Sequence, residues 1–128
     1  MSAGISRSEY PENSTALAAS SGNVANAAAV ATITPSNGKK AFISGFIVTA
    51  AGATAGLPVT VTVTGLVGGT HTYIFSAPVG ALIGANPLVI QFPISVPAIA
   101  VDTNIVVTCP ALGLGNTNAS VNAFGYQI

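Results

Sequence analysis

The stretch from Pro58 to Phe75, PVTVTVTGLVGGTHTYIF, alternates valine and threonine in strict period two, turns through glycines and returns without one charged residue. Successive side chains of a strand point to opposite faces, so this pattern predicts a hairpin with one apolar and one hydroxyl face. Register follows from sorting those faces. A two-residue loop at Gly68-Gly69 would set Val63 against Ile74 and Thr62 against Phe75, mixing apolar and hydroxyl partners. A three-residue loop, Val67-Gly68-Gly69 with Gly69 left-handed, pairs Val61 with Phe75, Val63 with Tyr73, Thr64 with Thr72 and Leu66 with Thr70. The second register is the expectation. It assigns Val61, Val63, Tyr73 and Phe75 to a core, and Thr60, Thr62, Thr64, Thr70 and Thr72 to a neutral exterior patch.

The same signals continue along the chain from Val24, with Gly, Pro and Asn punctuation and no long run of 3.6-residue apolar period. Strands are expected near residues 24–34, 41–50, 58–66, 70–76, 88–96, 104–109 and 119–127. That number of strands, with turn signals every ten to fifteen residues, predicts an all-β chain folded as an antiparallel β-sandwich. Leu88, Ile90, Phe92, Ile94 and Val96 share one apolar face. Pro93 and Pro97 place that segment at an edge or beside a bulge, because proline offers no ladder donor. Phe42, Phe46 and Val48 share a face, as do Ile105, Val107 and Cys109.

Residues 1–23 differ from the rest. Three of the six charged residues, Arg7, Glu9 and Glu12, fall in the first twelve positions, followed by small polar residues with too little apolar mass to fold alone. The expected division is an extended N-terminal arm over 1–23 and a β-sandwich domain over 24–128. Either the arm stays disordered or it orders on a neighbouring subunit.

At 128 residues the chain suits one domain and one core. Only 5% of its residues are charged, against about 25% in a typical soluble domain. The exterior must therefore be built of Ser, Thr, Asn, Gln, Gly and backbone. A formal net charge of zero removes the footprint that phosphate neutralisation requires, so no direct nucleic-acid contact is expected. It also removes the self-repulsion that keeps copies apart, which favours assembly. The uncharged run 41–59 has about the length of a membrane span. Its Gly, Ala and Thr content reads better as a strand and a loop, and no membrane partner is expected. The N-terminus lacks the pattern of a secretory signal, and the single cysteine fits a reducing cytoplasm.

Candidate chemistry is sparse. Cys109 sits in the apolar run IVVTC and reads as a small buried hydrophobe. His71, the one histidine, falls beside Tyr73 on the apolar side and reads as a rim residue. Asp102 reads as a turn residue bonded to local backbone. No nucleophile motif marks a serine for them, and one His, one Cys and three scattered acids make no metal cluster. No enzymatic activity, cofactor or metal is expected. The Thr60-x-Thr62-x-Thr64 spacing is shared with ice-binding threonine arrays, but threonine is also the ordinary polar choice on a half-exposed strand.

Taken together, the N-terminal GISRSEYPENSTALAASSGNVANAAAVATI, the hairpin VTVTVTGLVGGTHTYIF and the ending LGLGNTNASVNAFGYQI resemble small structural proteins of tailed-phage virions, most of all capsid cement (decoration) proteins. The resemblance spans most of the chain. It implies a jelly-roll-like sandwich, often a homotrimer, assembled in the host cytoplasm onto the outside of an expanded head. There it would stabilise contacts between major capsid protein subunits. Arg7, Glu9, Tyr10 and Glu12 are then the candidate capsid contacts, because arginine and tyrosine concentrate binding energy at interfaces. The alternative reading is a carbohydrate- or receptor-binding β-sandwich module of a virion fibre.

Overall fold

The computed structural model of the protein describes residues 11–51, 58–77, 87–112 and 118–128. Its regular structure there is β1 (Thr15–Ser20), β2 (Ala29–Ile33), β3 (Ala41–Ala51), β4 (Val59–Thr64), β5 (His71–Phe75), β6 (Leu88–Pro97), β7 (Ile105–Cys109) and β8 (Asn118–Gln127), with no helix among the described residues. The strands form two antiparallel four-stranded sheets, ordered β1-β8-β3-β6 and β2-β7-β4-β5. The expected all-β sandwich is the architecture found.

One rule generates most of the pairing. β4 pairs with β5, β3 with β6, β2 with β7 and β1 with β8. The chain is thus a long hairpin whose two arms run side by side and wrap across both sheets. Ladders of β3 with β8 and of β4 with β7 complete each sheet. Turns 34–40, 65–70 and 98–104 lie at one end of the sandwich. There Val67 N–H donates to the Pro97 carbonyl, Ile99 N–H to Gly65, Ala98 N–H to Ala41 and Asp102 N–H to Lys39.

Period-two alternation puts Ile33, Ile43, Val48, Val61, Val63, Ile105, Val107, Cys109 and Val121 fully between the sheets. Each such side chain contributes about 1.5–3 kcal/mol of transfer free energy. Phe46 is also fully buried, edge-on to Tyr73 at 5.3 Å between ring centroids and 6.4 Å from Phe92. β5 and β6 are edge strands of opposite sheets, so these rings close one open side of the sandwich.

The structure corrects the hairpin register by two residues. Val59 pairs with Phe75, Val61 with Tyr73 and Val63 with His71. A shift of two keeps every side chain on its expected face but lengthens the loop. The cause is Leu66, which leaves the ladder to bridge Ala98 and become buried. A turn over 66–69 then closes through Gly69 N–H to the Leu66 carbonyl, with Gly68 at φ +86° in the third position, where type II turns need a positive φ. Thr70 consequently lies in the loop rather than in the strand.

A second correction concerns the amino-terminal region. The first sequence-derived strand, 24–34, is trimmed to Ala29–Ile33. An eighth strand, Thr15–Ser20, lies within the segment read as an arm and pairs along its whole length with β8. Residues 15–20 therefore belong to the sandwich.

β6 is an edge strand with a bulge, as its prolines require. The register against β3 jumps from Ile43↔Val96 to Gly45↔Gln91, so Phe92, Pro93, Ile94 and Ser95 all face the single residue Ser44. The Ser44 and Ser95 hydroxyls meet at 2.9 Å across it. Leu88, Ile90, Phe92 and Val96 pack on the core, but the bulge turns Ile94 outward to 83% exposure, against the expected alternation.

Candidate interaction surface

The outer face of the β2-β7-β4-β5 sheet carries the feature most open to function. Alternation leaves Val30 and Thr32 of β2, Val106 and Thr108 of β7, Thr60, Thr62 and Thr64 of β4, and Thr72 and Ile74 of β5 on that face. Register aligns them in rows. Val30 faces Thr108, Thr108 faces Thr62, and Thr62 faces Thr72, one row across all four strands. Thr32, Val106 and Thr64 make a second row. At about 4.8 Å per strand the first row spans about 14 Å. Every residue of the array is β-branched, and none is charged. Such side chains are stiff, which makes the face preorganised for contact.

Among the described residues, charges are segregated from this face. Lys39, Lys40 and Asp102 lie in the turns of one end. Asp102 holds φ +63° and accepts a 2.7 Å hydrogen bond from Gly38 N–H, which ties two turns together. At the same end the buried Gln127 side chain accepts from Ser36 N–H at 2.6 Å and donates to the Ser36 hydroxyl at 3.1 Å. Val67, Ile99, Val101 and Ile128 are exposed there as well. Glu12 is exposed, three residues before β1. Arg7, Glu9 and Tyr10, the other candidate capsid contacts, lie outside the described residues.

The candidate catalytic types all have structural partners. His71 Nδ1 lies 3.3 Å from the Tyr73 hydroxyl, and its ring stands edge-on to Phe92 with centroids 6.0 Å apart. Burial pushes the Tyr73 phenol up. Cys109 is buried, its thiol donating to the Pro110 carbonyl, and burial pushes it up to about 11. A thiol so raised is protonated at neutral pH and unsuited to nucleophilic attack. Among the described residues no group of three or more His, Cys, Asp or Glu could hold a metal ion. No helix among them is long and apolar enough to cross a membrane, and 41–51 forms a central strand.

The outer face of the other sheet is also uncharged, but it carries aromatic rings. Phe42 stacks on Tyr126 at 4.8 Å and 13°. A shallow cavity of about 220 Å³ opens at the sheet's far end beside the hydrogen bond that Asn23 Nδ2 donates to Asn118 Oδ1 at 2.9 Å. Sequence reasoning found the β4 and β5 threonines of the first array but missed Val30, Thr32, Val106 and Thr108. Their joining depends on β7 lying between β2 and β4, which no local signal states. No family model, curated protein or solved structure matches the chain.

Proposed function

We propose that the protein is a non-enzymatic capsid decoration protein, a structural module that docks on the outside of a phage head and stabilises contacts between major capsid subunits. The observation that carries this reading is the four-stranded, charge-free array centred on Thr62 and Thr108. A face of this kind can be covered by protein without desolvating ions, a cost that otherwise offsets much of the gain from burial. Each copy contributes modestly, and many symmetry-related copies on one lattice hold by avidity. We read the sandwich further as a jelly roll. The orders β1-β8-β3-β6 and β2-β7-β4-β5, wrapped from one long hairpin, support that reading.

The carbohydrate-binding alternative receives less support. Sugar sites usually present an open aromatic ring, and among the described residues every phenylalanine and tyrosine is buried or half-buried. The deciding experiment is cosedimentation with expanded phage heads assembled from a candidate major capsid protein. Wild type should saturate the heads, and the double variant Thr62→Lys/Thr108→Lys, which changes only outward positions, should not. Removing residues 1–12, which spares β1, asks separately what the charged amino-terminal segment adds. Equal occupancy by the array variant, or glycan binding by a protein that ignores heads, would overturn the proposal.

A further inference from the structure

The four edges of the sandwich are unequal. β6 is guarded by Pro93, Pro97 and the bulge at 92–95, all of which oppose a further strand. β2 turns Ala29, Ala31 and Ile33 inward, each already fully buried, so a neighbour there would cover little more apolar surface on that side. β1 offers only Leu17 and alanine methyls beside its polar ends. β5 is different on both faces. His71 and Tyr73 remain half-buried on the inner side, and Ile74 is 70% exposed on the outer side next to Thr72. No proline, charge or bulge interrupts it, and its ladder with β4 runs unbroken from His71 to Phe75.

We infer that β5 is a self-pairing edge, on which a second copy of this chain adds its own β5 antiparallel about a two-fold axis through Tyr73. The strand is complementary to itself in that register. His71 then faces the partner's Phe75, Tyr73 faces the partner's Tyr73, and Thr72 faces the partner's Ile74. Aromatic pairs thus meet on the inner side and β-branched pairs on the outer, the combinations that stabilise antiparallel neighbours. Charge also selects the occupant. A two-fold contact brings every residue beside the axis close to its own copy, so a lone charge there would lie near its like. The array from Val30 to Thr72 carries none, and pairing would extend it into one eight-stranded face.

A five-residue ladder falls short of the roughly 800 Å² per partner that stable interfaces bury, so the pair forms in a concentration-dependent way. The inference concerns the free protein and stands apart from the capsid reading. Sedimentation velocity of the full chain over a wide concentration range provides the test. Wild type should show a monomer–dimer equilibrium. Ile74→Lys, at an exposed position, should melt like wild type yet weaken the dimer by at least about tenfold. Thr72→Glu combined with Ile74→Lys places opposite charges across the axis and should restore pairing, while Thr60→Lys, on the same face but off the edge, should leave it unchanged. Wild type that stays monomeric, a closed trimer, or an Ile74→Lys dimer as tight as wild type would each overturn the inference. So would loss of the dimer in Thr60→Lys alone, which assigns the contact to the face rather than the edge.

Discussion

Gly65 lies so close beneath the backbone carbonyl of Asn104 that a Cβ added to it would overlap the oxygen. Its φ of +88° is also one that residues with a side chain rarely adopt. From this point the chain leaves β4, sends Leu66 under the 97–99 segment and makes the loop that fixes the hairpin register. Gly65→Ala is expected to lower stability by about 2–5 kcal/mol, combining left-handed strain with a backbone clash. Urea unfolding measures it, and a loss below about 0.5 kcal/mol would mean that the loop moves aside freely.

Among the described residues Phe46 is the largest side chain fully buried between the sheets, and it touches rings from two edge strands, Tyr73 of β5 and Phe92 of β6. Phe46→Ala should cost about 3–5 kcal/mol, the range for a large aromatic removed from a packed core. A shift of the urea midpoint at unchanged slope is the expected signature.

Burial raises the Cys109 thiol from 9.0 to about 11. Below pH 9 the thiol is protonated in both folded and unfolded chains, so it adds no pH dependence. Between about pH 9 and 11 the unfolded chain releases the proton while the folded chain keeps it, and stability falls as pH rises. Cys109→Val should flatten the stability profile over that window. Native protein should resist alkylation at pH 8, and rapid labelling there would contradict the buried placement.

Asp102 combines a positive φ with a carboxylate that accepts from Gly38 N–H. Asp102→Ala removes both advantages and should cost about 1–2 kcal/mol, whereas Asp102→Asn keeps an acceptor and tolerates the left-handed region, staying within about 0.5 kcal/mol. Thermal melts of the two variants side by side give the comparison.

Period two made most of this fold legible. β3, β4, β5, β7 and β8 fall within a residue or two of where alternation places them, and the prolines of β6 point to an edge or a bulge, of which the structure shows both. β1 was not legible, because its inward residues are Leu17 and Ala19, too little apolar mass to stand out from small polar neighbours. β8 supplies the ladder that makes a strand of them. The register error has a similar origin. Sorting faces cannot distinguish registers two residues apart, and Leu66 is drawn away by Ala98, more than thirty residues downstream. At the surface, the threonines of β4 and β5 were readable as a patch. Its extension to Val30 and Thr108 arises from strand order alone.

The pairing of Thr15 with Gln127 has a consequence in time. During synthesis the β4–β5 hairpin can close as soon as it emerges, since its partners are near in sequence. β1 is made first among these strands and must wait for β8, made last, before any ladder can hold it. The β1-β8-β3-β6 sheet is therefore completed only after residue 127 has left the ribosome; β6 can cover one edge of β3 earlier, but until then the uncharged edge that β8 takes stands open. Folding dominated by such distant contacts is slow, typically milliseconds to seconds. The interval exposes nascent chains to one another, and crowding during rapid expression should penalise this protein more than a helical one of equal length.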